Sequence, residues 1–309
     1  MVPKRTEPND FPKERFVQQY NRLVQHSIRA SQVQPRVLRS RKHATAEISI
    51  TRDQSFEGGS QGLVFIAKHY SDAEAMPMKK ELAVLLHSND KGVLVPRTLH
   101  VLNNFLILEK IEGFTLMDLI NDVCVPRVQK HEAMNALGAW LSAFHSAFEQ
   151  TGIARRRGDA NLRNFIMTPA GSIVGVDFEE ADDADPARDL HEAMDSIVQS
   201  DPGIFSPGQP DIDWKYQLCE RLLRGYATGA RDGARKEAAD IVHDPSRFVE
   251  AQLDVMQRLA AIRGTSARLA PLVPAVRKNM ELMIERFLAT DSGPVPRNTG
   301  DPCRSISRR

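Results

Sequence analysis

The pattern of apolar residues changes near Gly113, and this change restricts the folds open to the 309-residue chain. Before Gly113 the apolar residues lie mostly in short β-branched or alternating runs, which are typical of strands, and helical patterns cover residues 11–30 and 74–88. After Gly113 they recur at three- and four-residue steps, which is typical of amphipathic helices. The predicted strands are residues 37–38, 46–50, 63–67, 93–96 and 105–109. The sequence therefore predicts an α+β chain with an antiparallel sheet lobe that contains one helix, followed by a mainly helical lobe.

The same patterns divide the chain into four parts. Residues 1–35 are predicted to be an N-terminal extension with a helix, and residues 36–112 the sheet lobe, or N-lobe. Residues 113–290 are predicted to be the helical C-lobe, which is interrupted by one hairpin. Residues 291–309 are rich in Pro, Gly and Arg, and this composition predicts a disordered tail.

Composition excludes several classes of protein. The chain has 41 Lys and Arg against 40 Asp and Glu, a net charge of +1, which argues against a protein that coats nucleic acid. Its three cysteines form no C-x-x-C pair, which excludes a disulfide scaffold and a cysteine-rich zinc site. No run reaches the ~18 apolar residues of a membrane span, and the first ten residues lack the apolar core of a signal peptide. We therefore expect a cytoplasmic location.

One group of polar residues has the spacing of a catalytic site. Asp159 and Asn164 form a D-x-x-x-x-N motif, and Asp177 ends the second strand of the apolar hairpin that follows. The turn of this hairpin is residues 168–171, Thr-Pro-Ala-Gly. An aspartate after a strand is common, but the two halves of the motif with a hairpin between them indicate a functional site.

With these motifs the chain resembles the protein-kinase-like superfamily, in its aminoglycoside and choline phosphotransferase, lipopolysaccharide kinase and RIO-like kinase branches. The resemblance covers about residues 36–200 and implies a bilobal kinase-like fold that uses ATP and Mg²⁺ to phosphorylate a hydroxyl-bearing acceptor. It also implies roles for the motif residues. Asp159 would orient the acceptor hydroxyl, and Asn164 and Asp177 would hold Mg²⁺ on the phosphates.

The N-lobe supplies further residues to this resemblance. Lys68 ends a predicted strand, where such kinases keep the lysine that contacts the ATP phosphates, and Glu81 lies in the next helix at the place of its carboxylate partner. The resemblance also implies that backbone groups near Glu109 and Ile111, in the connection between the lobes, contact adenine.

The glycine-rich segment of the N-lobe is not where we predict the phosphate-binding loop. Residues 58–62 hold three glycines, but only five residues separate them from Lys68, so no second strand fits between. We therefore expect these glycines to form a hairpin turn. The phosphate loop is then predicted one hairpin earlier, where Arg41 and Lys42 supply basic side chains near backbone N–H groups.

Three positions depart from the family pattern or leave its reading open. Arg157 stands where the family usually has a histidine, which leaves a catalytically silent pseudokinase as an alternative. Glu179 stands where the metal motif usually has glycine, and either lies near the metal or faces water. Asp189 either supports the catalytic loop or is the N-cap or a first-turn acid of a helix.

The sequence says less about the identity of the acceptor than about the nucleotide. Only twelve residues lead from Asp177 to Asp189 and no A-P-E triplet follows, which favours a small-molecule acceptor and keeps an atypical RIO-like protein kinase as the alternative. Carboxylates in and after this segment either favour a cationic acceptor or form a solvated acidic loop. They are Asp182, Asp183, Asp185, Glu192 and Asp195. The sequence lacks an H-x-x-x-H pair, which argues against a metal hydrolase.

Overall fold

A computed structural model of the chain describes residues 11–24, 28–38, 43–51, 63–149, 151, 153, 156–201, 203–206, 212–229 and 244–289. The N-lobe is an antiparallel five-stranded sheet with the order β1-β2-β3-β5-β4. Its strands are β1 (Val33–Val37), β2 (Ala44–Ile50), β3 (Leu63–His69), β4 (Thr98–Leu102) and β5 (Phe105–Glu109). β1 begins three residues before the predicted start of the N-lobe at residue 36.

One face of this sheet is covered by α1 (Lys13–Val24), the helix expected in the N-terminal extension. Its buried side chain Phe16 contacts Phe65 of β3 with tilted rings and Phe105 of β5 edge to face, with ring centroids 6.0 and 5.5 Å apart. Tyr20, one turn later, stacks on Phe65 at 5.9 Å. These aromatic contacts make α1 part of the N-lobe core.

The opposite face carries α2 (Ala75–Asp90), whose Val84 and Leu85 are buried against the sheet. This packing turns Glu81, one turn earlier, toward the interior, where its side chain is fully buried. A carboxylate is rarely buried without a partner, so the orientation of α2 requires a cation at this point.

The predicted strand at residues 93–96 is wrong. The chain there is extended but irregular, and the strand comes later, at β4. The carbonyl of Leu94 accepts hydrogen bonds from Trp140 Nε1 at 2.8 Å and from the backbone N–H of Gly175 at 3.2 Å. Both donors belong to the C-lobe. The segment is therefore hydrogen-bonded to the C-lobe. Pro96 also has no backbone N–H to donate to a neighbouring strand, which disfavours it in the interior of a sheet.

The C-lobe is mainly helical, as predicted. A small sheet of the order β6-β7-β8 lies at its junction with the N-lobe, and α4 and α6 pack against each other below it through buried leucines and aromatic residues. The strands are β6 (Phe114–Thr115), β7 (Phe165–Met167) and β8 (Ile173–Gly175). The helices are α3 (Leu116–Asn121), α4 (Arg127–Phe148), α5 (Ala187–Gln199), α6 (Asp213–Gly229), α7 (Pro245–Arg263), α8 (Ser266–Leu269) and α9 (Val273–Ala289). No helix in the described ranges is long and apolar enough to cross a bilayer.

Candidate active site

Lys68 lies between two carboxylates that come from different lobes. Its Nζ donates to Glu81 at 2.9 and 2.7 Å and to Asp177 Oδ1 at 2.7 Å. Burial alone would lower the pKa of Lys68, but the Glu81 and Asp177 carboxylates outweigh it and raise that pKa well above its usual value. The lysine is therefore a fixed cation in the cleft between the lobes.

Glu81 uses both of its oxygens. Besides Lys68 it accepts a hydrogen bond from the Tyr70 hydroxyl and one from the backbone N–H of Phe178 at 3.3 Å. The expected pairing of Lys68 with Glu81 is thus present in the structure. The same carboxylate holds the residue that follows Asp177, so α2 fixes the lysine and the end of the C-lobe hairpin together.

The D-x-x-x-x-N motif folds so that its two ends meet. Asn164 Nδ2 donates to the backbone oxygen of Asp159 at 2.9 Å and to its carboxylate Oδ2 at 3.2 Å. The backbone oxygen of Asn164 accepts from Val176 at 2.9 Å, because β7 and β8 pair in antiparallel register. Asp177 follows at once, with a φ of +65°. This left-handed conformation is uncommon outside glycine and is tolerated best by Asn and Asp.

Arg157 joins the two halves of the motif from inside the protein. Its side chain is among the largest fully buried ones and donates to the backbone oxygens of Asp159, Val176 (2.6 Å) and Asp177 (3.0 Å). The guanidinium also lies 4.7 Å from the ring centroid of Phe165. Burial lowers the pKa of Arg157, and nearby carboxylates offset part of this effect. Arg157 therefore holds the loop at Asp159 and the chain that follows the second hairpin strand at a set separation.

Asp189 supports this arrangement from the first turn of α5. Its Oδ2 accepts from the backbone N–H of Arg157 at 2.7 Å and lies 3.0 Å from His145 Nε2. His145 Nδ1 lies in turn 2.9 Å from the Tyr226 hydroxyl. Asp189 is thus both a first-turn acid of α5 and the buried support of the loop, whereas the N-cap of this helix is Pro186.

Solved structures resemble this chain, although no family model and no curated protein matches its sequence. A type VIII aminoglycoside-3'-phosphotransferase is similar with a TM-score of 0.50 and 13% identity, over 77% of this chain and 98% of that one. An aminoglycoside phosphotransferase from Streptomyces rimosus ATCC10970 has a TM-score of 0.49 and 13% identity, over 80% of this chain and 98% of that one. For a Plasmodium vivax ethanolamine kinase the values are 0.39 and 13%, over 76% and 85%.

The match to the type VIII enzyme covers 77% of this chain, which consists of a sheet lobe and a helical lobe. This chain has the protein-kinase-like fold. The bilobal architecture expected from the sequence is confirmed, and 13% identity carries the comparison no further than the fold.

Within this kinase-like fold, His43 is a cleft residue that the sequence did not single out. Its ring lies at the start of β2, with Nε2 2.5 Å from Glu179 and Nδ1 3.3 Å from Glu74. The ring also packs 4.3 Å from Tyr70. Burial would lower the pKa of His43, but the hydrogen bond and charge of Glu179 raise it overall. Glu179 therefore faces a histidine of the N-lobe, and this contact between the lobes adds to those of Lys68, Glu81 and Leu94.

The remaining expected nucleotide residues of the kinase-like N-lobe are only partly described. Glu109 ends β5, and its carboxylate binds Arg97 through the backbone N–H at 2.9 Å and Nε at 2.7 Å. Ile111 lies in the connection to the C-lobe, so the adenine contacts of both stay predictions. Arg41 and Lys42 lie outside the described residues, in the connection between β1 and β2.

The three glycines of residues 58–62 also lie outside the described residues. Their segment joins β2 to β3, which pair antiparallel from Ile50 opposite Leu63. A hairpin turn between these strands therefore stays the prediction.

The oxygen atoms available in the cleft suit Mg²⁺. Asp177 gives one carboxylate oxygen to Lys68, while its side chain is 43% exposed toward the cleft. Asn164 uses its side-chain N–H₂ on Asp159, which leaves the amide oxygen at the other end of the group. Carboxylate and amide oxygens are the ligands that Mg²⁺ prefers. Asp177 and Asn164 thus fit the expected metal chemically.

The glycine that precedes Asp159 allows a first test. Gly158 has a φ of +83°, and a Cβ there would lie 2.5 Å from the backbone of Glu180. Gly171 in the hairpin turn has a φ of +81° but nothing within 4 Å of a Cβ. Both Ala variants meet the left-handed strain of about 1–2 kcal/mol, and we expect Gly158→Ala to lose about 1–3 kcal/mol more because of the overlap. Urea unfolding of the two variants measures this difference. Equal losses would mean that the loop does not press on Glu180.

Proposed function

We propose that this protein is an ATP-dependent phosphotransferase that moves the γ-phosphoryl group of Mg·ATP to a hydroxyl group of a small molecule. The observation that carries this proposal is the position of Lys68, which is bonded to Glu81 of one lobe and Asp177 of the other. A cation held at the back of a cleft, next to a metal-binding carboxylate, is what phosphoryl transfer requires, since this reaction depends on positioning and charge neutralisation.

Each residue has a separate task in the proposed reaction. Lys68 binds phosphate oxygens, and Asp177 with Asn164 would hold Mg²⁺, which would supply neutralisation of the charge on those oxygens. Asp159 orients the acceptor hydroxyl and takes its proton as the new oxygen–phosphorus bond forms. The bond between the γ-phosphorus and the bridging oxygen breaks, and ADP leaves.

The arrangement of Asp159 favours an active enzyme over a pseudokinase that only binds its ligands. Its side chain is exposed in the cleft, whereas its backbone is held by Asn164 and Arg157. A base must be accessible to the acceptor and fixed in position at once, and both conditions are met here. The arginine at the histidine position preserves the loop, so it does not favour a pseudokinase.

Lys68→Ala tests the nucleotide site. We expect it to weaken ATP binding by about 10–100-fold, since a hydrogen bond to a charged group contributes about 1.5–3 kcal/mol. Titration calorimetry with Mg·ATP measures this change. Lys91→Ala, which removes an exposed lysine after α2, is the matched control and should bind ATP as the unmodified protein does.

A second variant separates loss of binding from loss of folding. Lys68→Ala leaves Glu81 buried without its cation, which is costly, whereas Lys68→Arg keeps the charge. If Lys68→Ala, Lys68→Arg and Lys91→Ala all have a Tm near that of the unmodified protein, and Lys68→Ala still binds ATP normally, then Lys68 does not bind the nucleotide. Absence of nucleotide binding in the unmodified protein would overturn the proposal, and binding without ADP release with any small-molecule or protein acceptor would indicate a pseudokinase.

A further inference from the structure

A pocket beside Asp159 has no occupant in the function proposed so far. It encloses about 160 Å³ and opens between the catalytic loop, α5 and the last turn of α7. This is below the ~300–1,000 Å³ of sites that enclose drug-sized ligands. A small molecule, or the reacting end of a larger one, therefore fits next to the proposed base.

The charged groups on the α5 side of the pocket are paired with one another. Arg156 binds Asp182 with two parallel hydrogen bonds of 2.9 and 2.7 Å, and its third nitrogen lies 3.2 Å from Glu192. Arg188 also lies 3.3 Å from Glu192. These two arginines thus face two carboxylates, and the two-pronged pair of Arg156 with Asp182 is among the stronger charge-assisted contacts.

The third arginine of the pocket also has a carboxylate partner. Arg263 ends α7 and donates from one nitrogen to Asp195 and to Gln199, both at 2.9 Å. Asp195 is fully buried. The carboxylates that the sequence offered as attraction for a cationic acceptor are therefore already neutralised where they approach the pocket.

The α7 side adds apolar surface. Leu259 and Ile262 line the pocket, and Ile262 is 81% exposed at the end of the helix. Covering such a side chain with the carbon framework of a ligand is favourable, because apolar surface leaves water.

We propose that the pocket is the acceptor site and takes an uncharged polyhydroxylated molecule, a sugar or polyol, with one hydroxyl at Asp159. Paired arginines and carboxylates still offer N–H donors and oxygen acceptors, and hydroxyl groups match both kinds. Besides Asp159 and Glu180, which also line the pocket, a charged acceptor would meet three arginines that already have three carboxylate partners. The inference rests on the proposed phosphotransferase function and names its substrate class.

The test compares acceptors that differ only in charge. Glucose, glucosamine and glucuronate form one set, and glycerol, 3-amino-1,2-propanediol and glycerate form a second. We measure kcat/KM for ADP release with Mg·ATP, and we expect a neutral member to exceed both charged analogues by about tenfold or more, the effect of one unpaired charge. Preference for an amine or an acid in both sets would overturn the inference, and so would equal values in each set.

Variants at the pocket rim test the position of the acceptor through ratios of kcat/KM, and these ratios can be measured without knowing which acceptor is the natural one. Ile262→Glu adds an unpaired negative charge at an exposed position, so the glucosamine-to-glucose ratio of kcat/KM should rise about fivefold, and Ile262→Lys should raise the glucuronate-to-glucose ratio similarly. Val128→Glu, on the exposed face of α4 and 61% exposed, is the control and should change neither ratio. Unchanged ratios in the Ile262 variants would place the acceptor elsewhere.

Failure of this inference is distinct from failure of the proposed function. If Mg·ATP binds and ADP is released only with charged acceptors, the phosphotransferase stands and the neutral class is wrong. Saturation-transfer NMR detects binding of the same six molecules without turnover, and no binding of the neutral ones would overturn the inference. If Mg·ATP itself does not bind, the proposed function fails.

Discussion

Asp159→Asn should reduce acceptor-dependent ADP release by roughly 10²–10⁴-fold, the usual contribution of a positioned general base, while Mg·ATP binding stays largely unchanged. The amide cannot take the hydroxyl proton. The loop should nevertheless keep its shape, because Asn164 and Arg157 bind the backbone oxygen of residue 159, which the substitution does not alter. Steady-state rates and nucleotide titration on the same preparation measure the two effects.

An acid in the same segment provides the comparison. Asp183→Asn changes an exposed carboxylate of the acidic segment after Asp177 and should leave kcat near its original value. If Asp159→Asn also retains full kcat, the carboxylate is not the base. If it loses ATP binding as well, its role lies with the nucleotide.

Asp177→Asn should impair Mg·ATP binding and phosphoryl transfer together, the latter by roughly 10²–10³-fold, since a metal supplies several kcal/mol of charge stabilisation. Asn is the suitable replacement because the φ of +65° at this position would strain Ala. Lys68 keeps its contacts with Glu81, so the fold should survive. ATP affinity measured over a range of Mg²⁺ concentrations should lose its dependence on the metal.

Asn164→Ala should behave as a milder form of the same change, visible as a higher Mg²⁺ requirement. An Asp177→Asn protein whose ATP affinity still rises with Mg²⁺ as before would assign the metal to other ligands. A loss of Tm in either variant, without a change in metal dependence, would make the residue structural.

Much of the architecture follows from local patterns. The alternation in Ala44–Ile50 produces a strand with every second residue buried, and the apolar runs around the turn at residues 168–171 form the paired β7 and β8. The D-x-x-x-x-N spacing could be read directly, because a tight loop brings Asp159 and Asn164 into contact. These features depend on neighbours in sequence, which a single chain displays.

Contacts between the lobes could not be predicted in this way. Nothing in the local pattern of His43 indicates that it lies against Glu179, 136 positions later, or that Leu94 accepts from Trp140 instead of joining a strand. Likewise, the acidic residues after Asp177 looked like a solvated or cation-binding group. Their arginine partners, such as Arg263 with Asp195, come from a helix distant in sequence. Such pairs are decided by tertiary packing, which periodicity does not encode.

The burial of Arg157 has a consequence for how this region opens. The guanidinium bonds to carbonyls on both sides of the hairpin, so separating the loop from the strand would leave a buried cation with several lost partners at once. Local fraying of one segment alone is thereby disfavoured. The loop, the hairpin and the start of α5 should exchange their amide hydrogens as one cooperative unit, near the slow end of the range for the whole chain.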